Sequence, residues 1–363
     1  MTWLLIFLGF SALIVLHEAG HFFAAKATGM RVERFFLFFP PKLVSVKRGE
    51  TEYGIGTIPA GGFVKISGMN PDEQLPPEAA GRGYYDQPVW KRIVVIGAGP
   101  AVNIVLAFAI LFALALGATD VNQRVGEIEP ASPAASVLRP GDEVVAVDGR
   151  RYARLDRQER LGRFAEAVAD HRCPGRQVDG CRATLPVELT IRRDGELRTL
   201  SVRPQYDAAT ERTRIGFSYG TEPADLGIAG AADRAVDSMW TVSSRTVTVF
   251  TRLFEEERRK EVSGIVGVSA TADEVIDEFG TREALILLAL VSLSLGLINL
   301  FPFLPLDGGH IFWSLVEKVR RKPVPFSVME RAGAVGFVLV IMLFFLGLTN
   351  DIDRLSNGGF EVR

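Results

Sequence analysis

Histidine is scarce in this chain, with four among 363 residues, at positions 17, 21, 171 and 310. Cysteine is scarcer, with two, so at most one internal disulfide can form. No phosphate-binding loop, no basic nucleic-acid patch and no internal repeat is present, which excludes nucleotide- and nucleic-acid-binding classes and repeat architectures. The amino terminus, Met1-Thr2-Trp3, carries no basic residue, and the Gly/His-rich end of the first apolar stretch is no cleavage site. It therefore reads as a retained helix and not as a cleavable signal peptide.

Charge is missing in blocks. Overall composition is ordinary, 48% hydrophobic and 23% charged with a net charge of −2, but residues 93–118, 284–306 and 332–349 contain no charged side chain, and a fourth apolar window spans residues 2–28. Each is long enough to cross a hydrocarbon core about 30 Å thick as a helix. Lys and Arg collect between the first two windows (Arg31, Arg34, Lys42, Lys47, Arg48, Lys65, Arg82, Lys91, Arg92) and between the last two (Lys318, Arg320, Arg321, Lys322, Arg331). The positive-inside rule makes those segments cytoplasmic and places both termini and residues 119–283 outside.

Into this setting falls His17-Glu18-Ala19-Gly20-His21. Imidazoles four residues apart share one helical face, which suits a common zinc ion, and the glutamate beside that face can hold a water on the metal. Ionisable groups that follow directly on an uncharged stretch, residues 3–16, are costly at membrane depth and mark function. The third window ends in residues 299–310, where two prolines and two glycines break the helix; Asp307, the one acidic residue there, suits the third zinc position, and an Asp-Gly-Gly surface turn is the plainer alternative. Asn299 either bonds within the broken segment or orients an unwound substrate backbone. Asn103, behind Gly99-Pro100, reads chiefly as a helix-packing residue. His310 is either a donor behind the metal ligands or a headgroup contact.

Cys173 and Cys181 flank a turn-rich loop on the outer side, where an oxidising compartment permits a disulfide; His171 beside Cys173 leaves a metal site as the alternative. Residues 44–47 and 51–55 flank Arg48-Gly49-Glu50 and read as a β-hairpin, followed by an extended run over 57–66. In the outer segment Pro140-Gly141-Asp142 and Asp148-Gly149 predict turns around a Val144/Val145/Val147 strand. A helix near 161–168 follows, then alternating Val187, Leu189 and Ile191 up to an Asp194-Gly195 hairpin turn, and a last strand over 214–217. Residues 231–260 have helical character, with Trp240, Val247, Phe250, Leu253 and Phe254 set to lie on the membrane surface or pack on the outer module, and the charged run 255–261 reads as a solvated face.

Taken together, His17-Glu18-x-x-His21, Gly61-Gly62-Phe63-Val64, Gly99-Pro100-x-x-Asn103, Ser263-Gly264-Ile265-Val266-Gly267 and residues 299–308 resemble the site-2 protease family of zinc intramembrane metalloproteases, of the bacterial regulator-of-sigma-E-protease type. The outer segment looks like one PDZ domain. One departure is visible: the family often reads Asn-x-x-Pro-x-Pro-x-Leu-Asp-Gly, whereas here Leu304 replaces the second proline and Pro305 follows it.

The resemblance implies a multi-pass α-helical membrane protein with four transmembrane helices, a membrane-associated β-hairpin region and one extracytoplasmic PDZ domain of α+β type. The segments run 1–28, 29–92 (the β region), 93–118, 119–220 (PDZ), 221–283 (amphipathic linker), 284–316 (broken helix), 317–331, 332–349 and 350–363. It implies that His17, His21 and Asp307 bind one Zn2+, that Glu18 is the catalytic acid/base, and that Gly61, Gly62 and Phe63 pair with substrate. The expected partners are a transmembrane-helix protein substrate, membrane lipids and a peptide at the PDZ domain, and no nucleic acid; the expected place is a bacterial plasma membrane. A membrane metal transporter and a non-catalytic PDZ scaffold with a zinc site are the rival readings.

Overall fold

Among the described residues of the computed structural model, four helices are long and apolar enough to cross a bilayer: Ile6–Ala27, Val89–Leu116, Thr281–Asn299 and Phe326–Arg354. At 1.5 Å per residue they measure roughly 28 to 44 Å. The structure describes residues 2–70, 73–152, 154–252, 255, 267 and 280–356. These fall into two units, Met1–Leu116 with Gly227–Arg363, and Gly117–Leu226. The motif at 263–267, apart from Gly267, lies outside the described residues, as do Leu253, Phe254 and most of the run 255–261.

In the first unit, helix α1 (Thr2–Ala27) packs on α2 (Val89–Leu116). Helices α4 (Gly227–Thr251), α5 (Thr281–Asn299) and α6 (Asp307–Arg320) also pack on α2, and α7 (Phe326–Ser356) closes the chain. Small residues set the crossings, because backbones that touch leave no room for a side chain. A Cβ on Gly20 would stand 2.5 Å from the Ala98 carbonyl oxygen, and one on Gly296 would stand 3.0 Å from that of Pro100. Trp240 and Val247 of α4 are exposed.

The third apolar window is not one helix. It ends at Asn299, passes through residues 300–306, and restarts as α6 at Asp307. Pro302 and Pro305 cannot donate to a preceding turn, and Gly308 and Gly309 let the loop fold back on the new helix. A Cβ at Gly308 would meet the Leu300 oxygen at 2.2 Å, and one at Gly309 the Leu304 nitrogen at 2.4 Å. The glycines therefore serve close packing, and the plain surface turn gives way to a helix start that faces inward. Leu304, at the position of the departure from the family pattern, is buried with Val324 and Met329.

Strands β1 (Val32–Arg48) and β2 (Thr51–Ile66) are antiparallel and joined at Gly49, whose positive φ of 64° suits the turn. The extended run over 57–66 is part of β2, and β1 reaches beyond the expected 44–47 to take in residues 32–43. Residues 34–37 pair on one side with 52–55 and on the other with 62–65, so the stretch from Gly62 to Ile66 forms an outer edge. Phe22 of α1 stacks edge-on against Phe35 and Tyr53, and Phe63 lies flat on Phe36 and Phe39. At the turn, the Arg82 guanidinium holds the Glu50 carboxyl down at about 2, and Lys26 at the end of α1 reinforces it.

The second unit is a five-stranded antiparallel sheet in the order β6-β5-β4-β3-β9, with α3 (Arg157–Ala169) over it. Its strands are β3 (Thr119–Ile128), β4 (Glu143–Val147), β5 (Val187–Arg193), β6 (Glu196–Val202) and β9 (Phe217–Pro223). Val187, Leu189 and Ile191 alternate into the core beside Phe164 and Val144. The last strand differs from expectation: β8 (Arg212–Arg214) pairs with β7 (Gln205–Asp207), and β9 begins only at Phe217. Gly216, at φ 80°, separates them, and Ser132 fills the space its Cβ would need. Cys173 and Cys181 form a disulfide, and His171 pairs with Asp148 at 2.8 Å, so the alternative metal site has lost its sulfur ligands.

Candidate active site

Near its carboxyl end α1 presents His17 and His21 on the face turned to α2, each 7% exposed. Their Nε2 atoms are 3.2 Å apart. Asp307, in the first turn of α6, brings Oδ2 to 3.2 Å from His17 Nε2 and 3.3 Å from His21 Nε2. Ligand atoms about 2.0–2.1 Å from a tetrahedral zinc stand roughly 3.3 to 3.4 Å from one another, so this triangle has the edges such an ion requires. Asp307 Oδ2 is buried yet makes no aligned hydrogen bond, although both imidazoles lie at contact distance. Acceptor atoms drawn together in this way fit a shared cation. Among the described residues no other group of three such side chains converges.

Helix α2 shapes the opposite wall. A Cβ on Gly99 would stand 2.3 Å from His21 Nε2 and 2.9 Å from His17 Nε2, so only glycine fits. One turn to either side, the Val95 carbonyl accepts from His21 Nδ1 at 2.9 Å, and the Asn103 amide meets His17 Nδ1 at 3.3 Å. Glu18 points toward the sheet edge: a Cβ on Gly62 would touch its Cγ at 3.0 Å. Gly61 carries a φ of 144°, with the Phe39 ring against it.

The structure thus brings His17, His21 and Asp307 together, with Glu18 and Gly62 next to them. Asn299 bonds back to the Leu295 carbonyl of its own helix at 3.1 Å. Cys173 and Cys181 belong to the second unit. Asn103, expected as a packing residue, meets His17, and the Val95 carbonyl carries no sequence signal of its own. The available signal was the spacing 95, 99, 103, which lies on one helical face.

Bilayer-length helices around a buried cluster of two imidazoles and a carboxylate, with a second carboxylate beside it, are the equipment of a membrane metallopeptidase. Comparison with known proteins agrees. The model of peptidase family M50 matches residues 5–343, and the chain belongs to that family, the site-2 proteases. A Clostridium perfringens relative is 32% identical over 347 residues, covering 95% of this chain and 96% of its own. Zinc metalloprotease Rip1 of Mycobacterium tuberculosis is 29% identical over 382 residues, with 94% of each chain covered. Its namesake in Mycolicibacterium smegmatis is 31% identical over 403 residues, again with 94% of each covered. The chain is a membrane-embedded zinc metalloendopeptidase with Zn2+ as cofactor, which sets aside the transporter and the non-catalytic scaffold.

Proposed function

We propose that His17, His21 and Asp307 hold the zinc, that Glu18 is the general acid/base, and that the substrate is a single-pass transmembrane helix cut near the cytoplasmic side. The observation that carries this is the buried triangle with edges of 3.2, 3.2 and 3.3 Å. Zinc at such a centre supplies Lewis acidity and lowers the pKa of a water in its open position. Glu18 takes the proton of the attacking water as the carbon–oxygen bond forms, and hands it to the amine nitrogen as the carbon–nitrogen bond breaks.

A helical substrate hides its peptide bonds, so it must unwind and find new backbone partners. The edge formed from Gly62 onward lies beside Glu18, and substrate added there as a further strand would present its carbonyl to the site. Gly61, Gly62 and Phe63 are the residues of that pairing, and Asn299 is assigned to the same unwound backbone. The Gly117–Leu226 unit is assigned as a PDZ domain outside the cytoplasm, taking a peptide or screening substrates by size. With the amino terminus on that side too, the setting is a bacterial plasma membrane. The biology that follows is regulated intramembrane proteolysis of a membrane-tethered regulator such as an anti-sigma factor, or removal of remnant signal peptides.

The test is reconstitution with a model transmembrane substrate. Glu18→Gln is expected to keep its zinc and lose at least about 100-fold in cleavage. Asp307→Asn is expected to lose zinc as well. Equal cleavage by native protein and Glu18→Gln would refute the assignment.

A further inference from the structure

Helix α2 meets both imidazoles with the same face. On His21 the matter is settled by backbone: the Val95 carbonyl can only accept, so Nδ1 carries the proton and Nε2 offers its lone pair to the cluster. On His17 the corresponding partner is a side chain, the amide of Asn103, 3.3 Å from Nδ1.

An amide can meet that nitrogen in two ways. With Nδ2 on the ring it donates to Nδ1, the proton of the neutral imidazole moves to Nε2, and that proton points at His21 Nε2 and Asp307 Oδ2. No lone pair is then left for a metal. Turned over, Oδ1 accepts from Nδ1–H, and His17 Nε2 matches that of His21. In the first arrangement Asn103 Oδ1 is buried without any hydrogen bond, and in the second it accepts the His17 proton.

Asn103 is also held as a fixed support would be. It is fully buried, its own carbonyl accepts from the equally buried Ser292 Oγ at 2.9 Å, and Gly296 of α5 brings the neighbouring backbone close to its Cβ.

We propose that Asn103 is a positioning residue whose amide oxygen accepts His17 Nδ1–H and so fixes the tautomer in which His17 Nε2 can ligate. It does by side chain for His17 what Val95 does by backbone for His21. This rests on the reading of His17 as a metal ligand. Partners of this kind orient a ligating imidazole and raise its basicity, and their loss typically weakens metal binding by about 10–100-fold.

The experiment measures zinc affinity of the purified full chain in detergent by competition with a chelator, together with the melting temperature of the zinc-free protein. Three variants are compared, Asn103→Leu, Asn103→Asp and His17→Ala. Leucine removes the acceptor at similar volume and is expected to weaken zinc binding about 10–100-fold while the zinc-free protein melts near the native temperature. Aspartate accepts but cannot donate, and is expected to keep zinc binding near native strength or above it. It also carries the decision should the leucine variant fail to fold. Loss of zinc in Asn103→Asp as large as in Asn103→Leu would mean that the amide acts as donor and would overturn the proposal, as would native affinity in Asn103→Leu. His17→Ala separates the two levels: if it retains native zinc affinity, the ligand reading itself fails, whereas a zinc-free His17→Ala beside an unaffected Asn103→Leu sinks only the role of Asn103.

Discussion

At the scale of single residues, the site is defined as much by absent atoms as by present ones. Gly99 is the clearest case, since a methyl there would overlap both imidazole nitrogens at 2.3 and 2.9 Å. Both rings are wedged between helices, so they have no free space into which to retreat. Gly99→Ala should therefore displace the ligands by about 1 Å and cost on the order of 100-fold in cleavage, with zinc content reduced and helix content by circular dichroism unchanged. Native activity in that variant would show that the rings are not held as described. His17, Glu18 and His21 were legible in the sequence because they lie within one helical turn of each other. Asp307 was legible as a lone carboxylate in a broken apolar segment. Gly99, Asn103 and Val95 act across the contact between α1 and α2, and no local pattern announces which face of one helix another will meet.

Elements are where the sequence reading was partly right and partly short. Four apolar windows correspond to four bilayer-length helices among the described residues because length and apolarity are what such a helix consists of. The turn at Gly49 and the extended run over 57–66 are legible because turn chemistry and patterning are local, whereas the strand over 32–43 and the pairing of residues 34–37 with two separate stretches depend on contacts distant in sequence. The strand expected over 214–217 was divided for a similar reason, Gly216 being needed to make room for Ser132. The double pairing of β1 has a functional consequence, because it leaves residues 62–66 as an outer edge beside Glu18. A Cβ on Gly62 would already stand at 3.0 Å from both Glu18 Cγ and the Phe36 oxygen. Gly62→Val adds two methyls to that contact and should push the edge away from the acid/base. Cleavage of the model transmembrane substrate is expected to fall at least about tenfold with zinc content unchanged, as the proposed role in substrate placement requires. Loss of zinc in step with activity would instead place the damage at the ligands.

Across the whole first unit, the proposed metal cluster requires that residues from opposite ends of the chain keep a fixed distance, and one polar contact is well placed to enforce it. Arg92, 3% exposed near the start of α2, donates twice to Glu317 of α6, at 2.9 and 2.6 Å, with Tyr85 and Tyr84 against its guanidinium. Helix α2 supplies Gly99, Val95 and Asn103, and α6 supplies Asp307, so the ion pair joins the two bodies that must stay in register with α1. Removal of Arg92 leaves Glu317, itself partly exposed, without its partner, which costs less than the about 3–5 kcal/mol of a fully buried pair, whereas apolar replacement of both is often nearly neutral. Arg92→Met alone should thus lower the melting temperature clearly and weaken zinc binding through a displaced Asp307. Arg92→Met with Glu317→Met should recover most of the melting temperature. Zinc affinity distinguishes what the pair is for. If it recovers with the melting temperature, the contact serves stability alone; if it stays low in the stable double variant, the bidentate geometry itself sets the position of α6, and with it the carboxylate that completes the site.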